Sequence, residues 1–366
     1  MATCAIGAQA VAMAAGHCIE KKIKPSELLL NGHLEDLQER LNYSGQSIPG
    51  IPLNQESNLL STAKIEATSV YKLDRLSGSG TWFHLKIGVA QLLPLEKDTN
   101  YTFSLDVLAS CDTTMQVELR TSKRFGSYTP DRVNEIRKIP LTEGEHKIEV
   151  AFQTRLTEDQ YAFVTIIQNS DLKVLFTEER LTGVVSVFNG ENKAVNNNGK
   201  QSPPEGIGID SFEFWIPKRR PEGQNLAFSV TPALNLYTTE NLLNGLVRPF
   251  LKTNAWAAAL DDKRPAISFK WQAKQTVKTI KLFFDTDFDH ALESVLMRHH
   301  DQVVPFVVSD YDIFDDSGAI IFSKRGNYQT MNQITFDEPI VTEQLTIKFQ
   351  TQDANVPVSL FQVIIK

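Results

Sequence analysis

The sequence predicts a mainly β protein: two antiparallel β-sandwiches preceded by a short two-helix segment. Two observations carry the β assignment. Between positions 53 and 220 apolar and polar residues alternate in short runs, among them Tyr101–Leu108, Met115–Arg120 and His146–Phe152, which is the period of a strand buried on one face. A second series follows residue 224, at Pro265–Trp271, Val277–Phe284, Leu345–Phe349 and Leu360–Lys366, with Gly, Pro, Asn and Asp turns throughout. A third observation sets the opening apart: only the first fifty residues show helical spacing. The predicted blocks are therefore 1–52, 53–220 and 221–366.

The opening run Met1–Cys18 is rich in Ala and small residues and carries no charge before Glu20. Ala is the strongest helix former, and Thr3 stands where an N-cap is expected. So small and apolar a helix is expected deep inside a larger domain, as if the chain started in the middle of a fold. A second helix is expected from Pro25 and Ser26, with Leu29, Leu30, Leu34, Leu37 and Leu41 on one face and Gly45 as its stop. Ile48–Pro52 reads as a stiff extended exit. The polar stretch 189–204 reads as a loop, and 217–223 as a linker.

Composition narrows the function classes. The net charge of −7 leaves no basic footprint, so nucleic acid is not an expected partner. Three cysteines are too few for a disulfide framework and form no C-x-x-C pair. No run reaches the length of a membrane span. The N-terminus lacks the basic start of a signal peptide, so a soluble chain is expected, with its compartment undetermined.

Thr3-Cys4-Ala5, Gly7, Gln9-Ala10-Val11 and Ala14-Ala15, followed by Pro25, Glu27-Leu28, Leu37-Gln38, Leu41 and Ile48-Pro49-Gly50, resemble the C-terminal end of a family of FAD-dependent oxidoreductases. Where that family's motif has Gly before Thr-Cys, this chain has Ala2. The resemblance implies that the opening helix closes a flavin-binding domain and directs its N-terminal N–H groups, at Ala2, Thr3, Cys4 and Ala5, toward the flavin. No G-x-G-x-x-G run follows a strand in this sequence. The expectation is therefore the C-terminal portion of a flavoprotein, inactive alone, with FAD completed by a missing N-terminal domain. The alternative is a carbohydrate-binding protein with tandem sandwich modules and no catalysis.

The middle block resembles jelly-roll modules that bind carbohydrate. The third block is similar to discoidin-type, galactose-binding-like domains, through Asn241–Gly245, Arg248-Pro249, Asn254–Trp256 and the strands that follow. That likeness implies ligand contacts at Arg248 and Trp256 and a structural calcium near Asn241 and Asn244. Trp82, after Gly78-Ser79-Gly80-Thr81, is expected on a loop rim, where an aromatic face can stack on a glycan or small-molecule substrate. Trp215 and Trp271, both in strands, are expected in the core. Acidic residues cluster at Asp285, Asp287 and Asp289 and at Asp310, Asp312, Asp315 and Asp316; Asp315–Gly318 reads more simply as a hairpin turn than as a cation site. His299-His300-Asp301 has no nucleophile motif beside it, and no catalytic residue is assigned.

Overall fold

The computed structural model describes residues 2–124, 126–189, 200–201, 212–213, 215–217, 225–286, 307–351 and 353–366. Most of the 189–204 loop and 217–223 linker lie outside these residues, as do Ile209, Phe214, Asp287, Asp289, His290 and the His299–Asp301 run. Two helices open the chain, α1 (Ala2–Lys21) and α2 (His33–Tyr43). The expected start of the second helix at Pro25 is corrected to His33. Asn31 and Gly32 take left-handed backbone angles, φ 54° and 77°, which end any helix running through them. Leu29 and Leu30 consequently fall in the connection and are exposed.

The expected burial of α1 is also corrected. Cys4 to Gln9 are exposed, and so are Ile6, Val11 and Ile19. Only the stripe Ala10, Met13, Ala14, His17 and Cys18 is covered to any degree, the i, i+3, i+4, i+7, i+8 spacing of a helix touching one neighbour. The remaining small apolar residues are spread around the helix and define no second buried face.

The first sandwich pairs a seven-stranded and a six-stranded sheet. Thr102–Ala109 lies inside the former, bonded to Leu172–Thr177, Gly144–Ala151 and Phe228–Leu234. It alternates between half-buried and buried residues along its whole length. Phe103, Leu105 and Val107 from this sheet meet Val117, Leu119, Val164 and Ile166 from the other in one core. The six-stranded sheet runs, in order, Trp215–Pro217, Val185–Asn189, Val89–Leu95, Gln160–Ile166, Thr113–Thr121 and Arg132–Leu141.

The C-terminal sheet is built on two strands of 19 residues each, Ala266–Phe284 and Met331–Phe349, paired antiparallel. Both change parity midway. Ile267, Phe269, Trp271 and Val277 face the core at odd positions, and Ile280, Leu282 and Phe284 face the same core at even ones. On the partner strand Ile334 gives way to Leu345, Ile347 and Phe349. The register shifts at Lys270/Gln275 and Val277/Thr279 produce this, since an extra residue flips every side chain beyond it. One sheet thus folds over its own core and supplies both layers of the sandwich.

Strand membership crosses residue 220. Lys64–Ala67 adds to Ala266–Phe284 of the C-terminal sheet, while Phe228–Leu234 pairs with Thr102–Ala109 of the first sandwich. The two sandwiches meet at Trp256–Ala257. Trp256 and Ala258 belong to the C-terminal core and Ala257 to the first. Trp256 Nε1 donates to the Ser69 carbonyl at 3.1 Å, and the Tyr71 N–H donates to the Ala257 carbonyl at 2.8 Å.

The outer face of the C-terminal sheet carries Phe283, Phe361 and Ile364, covered by Leu53 and Val247, with Tyr43 at the end of α2 packed against them. Lys281 lies on the same face, its Nζ donating to the Tyr43 carbonyl at 2.8 Å and sitting 3.4 Å from the Tyr43 ring centre. Burial, with the Lys366 charge adding to it, pushes the Lys281 ammonium down to about 8. Below that pH both folded and unfolded chains carry the charge, and the folded one bears the full cost of desolvating it. Between about 8 and the ordinary lysine value of 10.5 the unfolded chain binds more protons, so stability rises with pH. Thermal unfolding of the native chain is expected to gain stability across this window, and of Lys281→Met to gain less; identical profiles would refute the assignment.

Gly245 holds the 53–67 segment in place. Its N–H donates to Gln362 Oε1 at 2.9 Å, and its carbonyl accepts from Leu53 N at 2.8 Å. Its φ is +77°, and an added Cβ would stand 2.6 Å from the Leu53 carbonyl oxygen. Gly245→Ala is expected to cost ~2–3 kcal/mol in urea denaturation; an unchanged midpoint would contradict this packing.

Candidate functional site

Strand alternation puts Met115, Val117 and Leu119 into the first core and turns Gln116, Glu118 and Arg120 to the outer face of the six-stranded sheet. That outer face is apolar at Leu92, Tyr161, Phe163, Val187 and Trp215, which are in contact, with Thr165 opposite Glu118. Glu118 and Arg120 are buried there as an ion pair, Nε to Oε2 at 2.5 Å, and Gln116 Nε2 donates to the second carboxylate oxygen. The Arg120 guanidinium sits 5.7 Å over the Trp215 ring, and its Nη1 donates to the Pro130 carbonyl at 2.9 Å. A buried charge pair thus reaches up and holds the loop between Thr121 and Arg132.

The loop is closed by its own residues: Lys123 N–H donates to the Asp131 side chain at Oδ1, 2.8 Å, and Ser127 N–H to the Arg124 carbonyl at 3.1 Å. Gly126 turns it with φ +71°, and a Cβ at this glycine would stand 2.8 Å from the Phe250 ring. Phe250 comes from the segment before Trp256. Next to it Lys252 forms an ion pair with Asp159 at 2.9 Å. That contact, with the Lys97 N–H, holds the Asp159 carboxyl below the usual carboxylate range.

Between these pieces lies a cleft of about 190 Å³, lined by Lys123, Arg124, Arg132, Glu158, Gln160 and Tyr161, with Leu251 as an apolar wall. Its lining carries three cations and one carboxylate, on a chain whose net charge is −7. Lys123, Arg124, Arg132 and Glu158 are exposed and Tyr161 is buried as the floor. Dense donors and acceptors beside one apolar wall suit a small polar ligand with many hydroxyl groups. Sequence reasoning did not single out these residues.

The sequence-predicted residues fall elsewhere. Trp82 is half-buried on Thr81–His84, opposite Leu175, in the other sheet of the first sandwich. Trp256 is 0% exposed and cannot stack on a ligand; the expectation of a binding role is corrected, because its indole fills the C-terminal core. Arg248 is half-buried, and its carbonyl accepts from Asn254 Nδ2 at 3.1 Å. Asn241 donates its amide to the Leu236 and Ala255 carbonyls, and Asn244 accepts from Leu246 N–H at 2.7 Å while donating to Asn254. These contacts fix the loop leading to Trp256. They engage the Asn244 oxygen that calcium would need, and calcium takes six to eight oxygens.

Ala2, Thr3, Cys4 and Ala5 form the first turn of α1, and Cys4 and Ala5 are exposed. No wall faces them among the described residues, so the geometry lends the flavin contact no support. Trp215 and Trp271 are buried, at 7% and 4% exposure, as expected for core residues. Asp315 accepts from the Ser317 and Ala319 N–H groups, which is the expected hairpin turn, and Asp312 pairs with Arg325.

Arg120→Met leaves Glu118 buried without its charge partner and is expected to cost ~3–5 kcal/mol. A Glu118→Met, Arg120→Met double variant is expected to recover most of that stability. Equal losses in both variants on chemical denaturation would show that the pair does not act as a unit.

No protein-family model matches the chain, and no curated protein matches it. Among solved structures it is similar to the family 32 carbohydrate-binding module from Streptococcus pneumoniae EndoD, at 18% identity and TM-score 0.27, over 35% of this chain and 84% of that one. It is similar to the family 32 module of C. perfringens NanJ, solved in complex with galactose, at 13% identity and TM-score 0.26, over 36% of this chain and 86% of that one. A third is chitosan-binding module 2 of a Paenibacillus sp. IK-5 chitosanase/glucanase, solved with chitotriose, at 14% identity and TM-score 0.26, over 36% and 88%. Identities this low carry no information about the ligand. Among the described residues no helix is long and apolar enough to cross a membrane.

Proposed function

We propose that this chain is a carbohydrate-binding protein of two β-sandwiches, with its sugar site in the cleft under the 122–132 loop. The cleft's chemistry carries the reading, not the names of the similar modules. A sugar ring offers hydroxyl groups around its rim and C–H groups on its faces. Arg124, Arg132, Gln160 and Glu158 offer forked donors and acceptors, and Leu251 offers apolar surface. The volume of about 190 Å³ suits one or two sugar residues of a longer chain that continues into solvent. Because cations outnumber carboxylates in the lining, the ligand expected to bind best carries an acidic group.

The test is calorimetry of the full chain against neutral and acidic oligosaccharides chosen from a glycan array. Acidic glycans are expected to bind more tightly, with a salt-sensitive affinity. Arg124→Ala and Arg132→Ala are each expected to lower affinity at least ~10-fold without changing thermal unfolding. Binding that is absent from the array, or indifferent to both substitutions, would overturn the assignment.

A further inference from the structure

Away from the cleft, His17 and His33 meet where α1 crosses α2. His17 is 0% exposed, His33 is the first residue of α2, and Asp36 follows one turn later on the same helix face. His17 Nε2 and His33 Nδ1 stand 3.4 Å apart, and one ligand atom from each of the three residues lies within 4.8 Å of the others. An N–H···N hydrogen bond is ordinarily about 3 Å long. Two nitrogens on one tetrahedral zinc, each about 2.05 Å from the metal, are separated by about 3.3–3.4 Å. At 3.4 Å the contact is a long hydrogen bond, and it also matches the spacing of two ligands on one metal. The far nitrogen of the buried ring, His17 Nδ1, has no hydrogen-bond partner. The roles of the two facing nitrogens follow the tautomer: one N–H donates to the other ring, or both lone pairs take one cation and His17 Nδ1 carries the ring proton.

We propose that His17, His33 and Asp36 bind one divalent transition-metal ion of the zinc class, with water completing its coordination. Two imidazoles and a carboxylate are a ligand set that suits zinc. Asp36 is exposed, so a change of rotamer brings its carboxylate in. Glu35 and Asp36 in the first turn of α2 supply the negative charge that a cation at a helix N-terminus requires. The ion clips α1 to α2, adding to a narrow packed stripe, the exposed Arg40–Glu20 pair at 2.6 Å and the exposed hydrogen bonds of Gln9 Nε2 to Ser44 Oγ at 3.4 Å and Gln46 Nε2 to the Ile6 carbonyl at 3.3 Å.

The test is titration of the full, metal-stripped chain with Zn²⁺ by calorimetry and with Co²⁺ by visible absorption. Hydrogen exchange of α1 is followed with and without zinc. One-to-one binding, ligand-field bands without a thiolate charge-transfer band, and slower exchange in α1 are expected. His33→Gln and the surface change Asp36→Asn are each expected to weaken Zn²⁺ binding at least ~10-fold, with the metal-free circular dichroism spectrum retained. Absence of saturable one-to-one binding, or an affinity unchanged in both variants, would overturn the site. So would a thiolate band, which would place Cys18 or another cysteine in the ligand set.

Discussion

Successive residues of a strand point to opposite faces, and at positions 256–258 this puts them in different hydrophobic cores. Trp256 and Ala258 enter the C-terminal core and Ala257 enters the first. The constraint is strict, since a slip of one residue would drive an indole into the space of a methyl group. Around it, Ser69 and Tyr71 from the incoming chain and Tyr237 from the outgoing chain lock the same two residues by hydrogen bonds. The Tyr237 hydroxyl also donates to the Thr182 carbonyl, and Thr182 donates to the buried Asp285. The two sandwiches are thereby joined by shared buried backbone.

The cleft depends on that join. Its loop is raised from below by the Glu118–Arg120 pair and capped from the side by Phe250 over Gly126. Leu251, its apolar wall, belongs to the segment that ends at Trp256. Asn254, in left-handed conformation at φ 54°, donates to the Arg248 and Phe250 carbonyls and sets the course of that segment. One sandwich therefore supplies the charged rim and the junction supplies a wall. The residues read from the sequence as ligands of the C-terminal block, Asn241, Asn244 and Trp256, are the supports of this segment.

Much of the fold was legible because strand periodicity survives wherever one sheet face is buried. Tyr101–Leu108 and His146–Phe152 alternate in the sequence, and all but Tyr101 and Phe152 lie in strands. The parity change inside Ala266–Phe284 was not legible, since a bulge leaves no residue signature that alternation alone can register. The second helix was read through Asn31-Gly32 because leucine spacing outweighed a turn signal that backbone sterics make decisive. Trp256 misled for another reason: its ligand role was carried over from the resemblance to discoidin-type domains, while the paired sheets enclose it in the core. The cleft was hidden because its residues come from three separate stretches, 122–132, 157–161 and 251. Likewise, the α1–α2 crossing that joins His17 to His33 exists only in three dimensions.

The account's central claim is that a sugar sits between the 122–132 loop and Leu251, on the Tyr161 floor. A crystal structure of the full chain soaked with an acidic oligosaccharide tests this most directly. The account predicts sugar density against Arg124, Arg132 and Glu158, with a ring face over Leu251. Density seated instead beside Trp82 on the opposite sheet, with the cleft holding only water, would contradict it.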